Sequence, residues 1–98
     1  MVKREEAVEI EIAKSLVDSL NNAKSEKDQL KAVKAIAKYI GMMNKKLSED
    51  KRAIMQRLGY GVVEVTLIMK NLAENAQSDA IRLQALVTIA KCLGMGSA

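Results

Sequence analysis

The chain has 98 residues and a formal net charge of +4, with no Phe, Trp, Pro or His, two Tyr and a single Cys. A lone Cys92 cannot close an internal disulfide, and without His there is neither a Cys–His nucleophile pair nor a His-containing metal site. A chain of this length buries roughly two thirds of its unfolded surface, enough for one domain without staples; its core is aliphatic, and Ala, Leu, Glu, Lys and Met favour helix.

The elements follow in chain order. Val8, Ile12, Leu16 and Leu20 recur every four residues and predict a helix over 3–22. Ser25, followed three residues later by Asp28, reads as the N-cap of a second helix over 26–40, with Gly41 as its left-handed stop. A short helix is predicted over 48–58, with Glu49 and Asp50 in its first turn where the helix dipole favours negative charge. The segments 61–75 and 79–93 complete the set, the last capped by Ser78 and stopped by Gly94. The prediction is an all-α single domain of about five helices, residues 1–98.

Residues 30–42, LKAVKAIAKYIGM, and 83–95, LQALVTIAKCLGM, are identical at seven of thirteen positions at an offset of 53. The turns NAKS and NAQS precede them at the same offset. Two helical hairpins are therefore expected, one over 3–41 and one over 61–94, joined by the 48–58 helix. One hairpin cannot bury its own stripe, whereas two stacked ones can. The arrangement is similar to a minimal HEAT or armadillo-like repeat, with a plain irregular five-helix bundle as the alternative.

Leu30, Val33, Ile36, Ala37 and Ile40 fall within about 120° of one another on a helix and form its predicted core face. Leu83, Leu86, Ile89, Ala90 and Leu93 are the matching core face of the last helix. That helix also carries Ala80, Ile81, Ala85, Val87 and Cys92 off the main stripe. Those five are the predicted interface of a homo-oligomer, because apolar residues around most of a helix mean burial at the centre or beneath another chain.

The charge is uneven: residues 1–23 are net −2, 24–57 net +6 and 58–98 neutral. Lys27, Lys31, Lys34 and Lys38 fall within about 60° of one another, away from the core face. Lys45 and Lys46 extend the set, followed by Lys51, Arg52 and Arg57. Spaced ammonium groups neutralise a phosphate backbone without reading bases, so these lysines are the candidate nucleic-acid site. A solvated helix face is the plainer alternative. With so few arginines and no clustered aromatics, base-specific or stacking recognition is not expected. In the second copy the first three lysines become Ala80, Gln84 and Val87; only Lys91 is retained, and it stays outside the predicted site.

No catalytic residue, metal or cofactor is predicted. Glu5/Glu6 and Glu49/Asp50 read as first-turn carboxylates, and Cys92 as a small core residue. The string MQRLGYGVVEVTLIMK, residues 55–70, is not a helix-turn-helix, because its second helix opens on apolar side chains where a recognition helix needs polar ones. VVEVTLIM, residues 62–69, is too short to span a bilayer. A soluble cytoplasmic protein without membrane partners is expected.

DAIRLQALVTIAKCLGM, residues 79–95, resembles a segment found late in phage terminase small subunits, the DNA-recognition partners of packaging motors. Arg82, Ala85, Leu86, Leu93, Gly94 and Met95 fit its pattern R-x-x-A-L-x-x-x-x-x-x-L-G-M. The resemblance implies a ring-forming, DNA-associated phage or mobile-element protein. That family usually begins with a helix-turn-helix region, which this chain lacks. The resulting expectation is a self-associating non-enzyme that holds nucleic-acid backbone on its lysine face. The alternative is a helical adaptor or inhibitor whose lysines meet an acidic protein surface.

Overall fold

The structure, a computed structural model, describes the backbone of residues 4–44 and 49–93 and the side chains of 7–43 and 49–93. It contains five helices: α1 (Arg4–Asn21), α2 (Glu26–Tyr39), α3 (Glu49–Arg57), α4 (Val62–Asn75) and α5 (Asp79–Cys92). A 3-10 turn, Met42–Asn44, follows α2. There is no strand among the described residues. The all-α expectation holds, and each described helix end lies within a residue of its predicted position.

The caps explain where the helices begin and end. Ser25 is extended, at φ −133°, and its Oγ accepts the Asp28 N–H at 3.1 Å. Ser78 does the same for the Ile81 N–H at 3.4 Å. Each cap satisfies one first-turn donor that the helix itself leaves unpaired. After α2, Gly41 adopts φ +87°, the left-handed stop the sequence predicts. Gly59 adopts φ +90° after α3, a second such stop that the sequence reading did not single out. Gly94, Lys45 and Lys46 lie outside the described residues.

α1 packs on α2 and α4 packs on α5, giving the two expected hairpins, and α2 also touches both α4 and α5. The connecting helix α3 packs on α1 and contributes the buried Met55. Polar tethers fix how the hairpins sit. The backbone N–H of Gln77, in the turn of the second hairpin, donates to both carboxylate oxygens of Glu26 in the first turn of α2, at 3.0 and 3.1 Å. The two hairpin turns therefore lie side by side. The Tyr39 hydroxyl donates to Glu9 Oε2 at 2.7 Å, with the Glu9 carbonyl a second acceptor at 3.0 Å, which ties α2 to α1. The Lys51 ammonium lies 5.3 Å from the centre of the Tyr39 ring, which brings α3 to the same point. Tyr60 donates to Asn21 Oδ1 at 2.7 Å.

The molecule measures 47 × 35 × 16 Å, a thin slab. Since a helix with its side chains is about 10–12 Å across, thinness leaves room for few fully enclosed positions. The central helix, α2, and its cap hold the largest group of them, Leu30, Val33, Ile36, Ala37 and Ile40, all buried as predicted; α4 adds Val65, Met69 and Leu72.

In α5 the predicted core face is overturned at its three leucines, while Ile89 packs against the core and Ala90 is half-buried. Leu83, Leu86 and Leu93 are 62%, 54% and 67% exposed, and the buried residues are Ile81, Ala85 and Thr88. The covered arc matches the Tyr39 side of α2, which faces α1, with Ala85, Ile89 and Cys92 standing for Ala32, Ile36 and Tyr39; the arc that matches Leu30 and Val33 is left open. The physical reason is position. α2 has neighbours on two sides, α1 on one and the second hairpin on the other, whereas α5 is an edge helix covered by α4, α2 and the 3-10 turn. The small Ala85 and Thr88 give close approach on that covered side. The Thr88 hydroxyl, buried there, donates to the Gln84 carbonyl at 2.8 Å.

Candidate nucleic-acid interface

Lys27, Lys31, Lys34 and Lys38 line one groove, with Leu30 and Ala35 of the same helix and Gln84 of α5. The groove holds about 490 Å³. Among the described residues its polar lining is four ammonium groups and one amide, with no carboxylate. α2 arranges this by its own periodicity. The lysines stand at steps of four, three and four residues, so they stack along one face over roughly 16 Å of helix. That is close to the axial length of five phosphates along one DNA strand at about 3.4 Å each.

Neither acidic residue of α2, Glu26 or Asp28, lines the groove. Glu26 is committed to the Gln77 N–H. Asp28 is displaced from the nearest lysine by about 60° around the helix. None of the four lysines forms an ion pair with a described residue. Lys34 is half-buried, while Lys27, Lys31 and Lys38 are exposed.

The structure brings only part of the predicted set together. Lys51 does not continue the stripe; it lies against Tyr39, about 110° around α2 from the lysines. One residue enters that the sequence reading left out. Gln84 lines the groove directly; Lys91, two turns further along the same face of α5, is not part of the lining. Gln84 and Lys91 are the repeat counterparts of Lys31 and Lys38, and stacking the hairpins side by side is the signal that places both helices at one groove.

The predicted oligomer interface does not form one surface. Ile81 and Ala85 are buried within the chain. Cys92 is half-buried and lines a second, apolar groove of about 290 Å³ together with Gly41, Met42, Thr66 and Ile89. Ala80 and Val87 are exposed. The apolar surface that α5 does expose is the opposite arc, Leu83, Leu86, Val87 and Leu93.

Chemically reactive groups are subdued. Burial pushes the Cys92 thiol above its ordinary pKa, away from thiolate reactivity. Burial first, then the hydrogen bond and charge of Glu9, hold the Tyr39 phenol above its ordinary range. Among the described residues no three His, Cys, Asp or Glu side chains come together as a metal site, and no helix is long and apolar enough to cross a membrane. Comparison with family models, curated proteins and solved structures finds no match to the chain.

Proposed function

We propose that this chain is a self-associating, non-enzymatic helical protein that binds the phosphate backbone of nucleic acid in the α2 groove. The observation that carries the reading is the groove itself: Lys27, Lys31, Lys34 and Lys38 converge on it, and no carboxylate lines it among the described residues. A surface that merely needed solubility would intersperse both signs of charge. Four ammonium groups that form no ion pair with a described residue instead form a local field that attracts a polyanion and releases its counterions. Base edges are not read, because the lining offers lysines and one amide rather than the bidentate arginines or paired amides that base recognition uses. The terminase-like string over 79–95 favours DNA, in phage packaging or a related mobile-element process in the cytoplasm.

A second reading is a protein-interaction module. It is favoured by the exposed apolar arc of α5, which is larger than a solvated helix requires. Titration with unrelated duplexes at several salt concentrations separates the two. Backbone binding is sequence-independent and falls steeply with salt. Absence of binding at low salt removes the first reading in favour of the second.

A further inference from the structure

The slab has two open edges, and the repeat relates them. Hairpin 1 meets hairpin 2 through the side of α2 that faces away from Tyr39 and α1, where Leu30, Val33 and Ala37 are buried. At the offset of 53 these correspond to Leu83, Leu86 and Ala90 of α5, the arc turned away from the core at the far edge. The receiving side of that junction is α4. Its Val62, Thr66 and Met69 share the second groove with Ile89 and Cys92 of α5. Val65, Ile68 and Leu72, buried or half-buried, form the arc about 90° further round α4, and α2 is the other helix that α4 packs on. Their counterparts on α1 are Ile12, Ser15 and Ser19, all exposed at the opposite edge, with Val8 one turn further along. Meanwhile Ala13 and Leu20 of α1 are buried on the side that packs on α2 and α3.

We infer that the exposed arc of α5 receives α1 of a second copy of this chain, head to tail, repeating between molecules the junction that joins the two hairpins within one. This deepens, and rests on, the self-association in the proposed function. The occupant is a second copy because the chain already contains both halves of the contact, one at each edge. No charged side chain interrupts the α5 arc from Leu83 through Leu86, Val87 and Ala90. α1 belongs to the acidic segment, so no accumulation of like charge opposes the approach. Ser15 and Ser19 stand where α4 has Ile68 and Leu72. The junction between copies is thus less apolar than the one within the chain, and assembly is reversible and concentration-dependent. A heterologous contact of this kind leaves a free edge at each end and grows into a ring or an open array.

The test uses the full chain and two variants with charges placed on exposed positions: Leu83→Glu with Leu86→Glu on α5, and Val8→Glu with Ile12→Glu on α1. Circular dichroism checks that both retain the wild-type helical signal, and weight-average mass is measured by sedimentation across the micromolar to millimolar range. Wild type is expected to exceed the mass of two chains as concentration rises, and each variant alone to remain a single chain. Mixed one to one, the variants are expected to form a two-chain species and stop there, since one intact α5 arc and one intact α1 edge remain. Where the α1 variant misfolds, Ser15→Glu in its place carries the same expectation. An α1 variant that associates as wild type does, or a wild type that stops at two chains through α5 alone, overturns the head-to-tail junction while self-association stands. A wild type that stays a single chain throughout removes self-association itself.

Discussion

Replacing Lys31 and Lys34 together by Gln tests the groove most directly. Neither ammonium pairs with a described residue, so the change should alter folding stability by no more than about 0.5 kcal/mol. On duplex DNA each phosphate contact contributes about 0.9 to the slope of log affinity against log salt. Four lysine contacts give a slope of about −3.6, and two give about −1.8. Raising salt from 50 to 200 mM should then weaken wild-type binding about 150-fold and the double variant only about 12-fold. Fluorescence anisotropy with two labelled duplexes of unrelated sequence reads both slopes. Lys14→Gln with Lys70→Gln, on α1 and α4 away from the groove, is the control and should leave the slope at its wild-type value. The reasoning is refuted if the double variant keeps the wild-type slope, or if the control loses as much.

Three further outcomes test the fold beneath the site. Gly41→Ala and Gly59→Ala, at φ +87° and +90°, should each cost about 1 kcal/mol in thermal denaturation, through strain at a left-handed position; no loss at Gly59, where nothing within 4 Å would meet a new Cβ, would deny the conformational argument. Tyr39→Phe removes the bond to Glu9 and should cost about 1 kcal/mol at neutral pH. Because the folded phenol titrates above its unfolded value of 10.0, its contribution is complete below pH 10 and is lost as pH rises beyond it, so urea melts of wild type and variant should converge there. Leu30→Ala should cost about 2–5 kcal/mol and its repeat counterpart Leu83→Ala no more than about 0.5 kcal/mol; equal costs in dilute solution would restore the core face that the repeat predicts for α5.

How far the sequence can be read follows from what each residue's surroundings depend on. Helix limits are local: Ser25, Ser78 and Gly41 act on backbone groups within four residues, and their placement follows from spacing alone. The lysine stripe is equally local, since one helix carries all four groups. The orientation of α5 is different in kind. Its sequence offers apolar residues on two arcs, and which one turns inward depends on how many neighbours surround it. α2 and α5 share a pattern, yet only α2 has helices on both sides. Gln84 escaped notice for the same reason, because its place at the groove depends on the hairpins lying side by side. The tether from Glu26 to the Gln77 N–H spans 51 residues, and no spacing rule announces it.

The two halves of the proposed function meet in the slab's geometry. The lysine groove opens between α2 and α5, and the junction proposed between copies lies along the outer arc of α5 and the outer edge of α1. Growth at those edges leaves the groove uncovered. Because the junction repeats the one between hairpins, it carries successive grooves forward on the same side of the array. A polyanion lying across several grooves is held by many weak contacts at once, and each added copy binds at the high effective concentration set by its neighbour. Binding to a long duplex should therefore be cooperative in protein concentration, whereas a duplex too short for two copies should show simple saturation. Leu83→Glu with Leu86→Glu leaves all four groove lysines in place. It should abolish the cooperativity on the long duplex and lower affinity for the short one only through its two added negative charges, an effect that the neutral pair Leu83→Gln with Leu86→Gln avoids. Cooperativity that survives this change would mean that neighbouring copies touch through some surface other than α5.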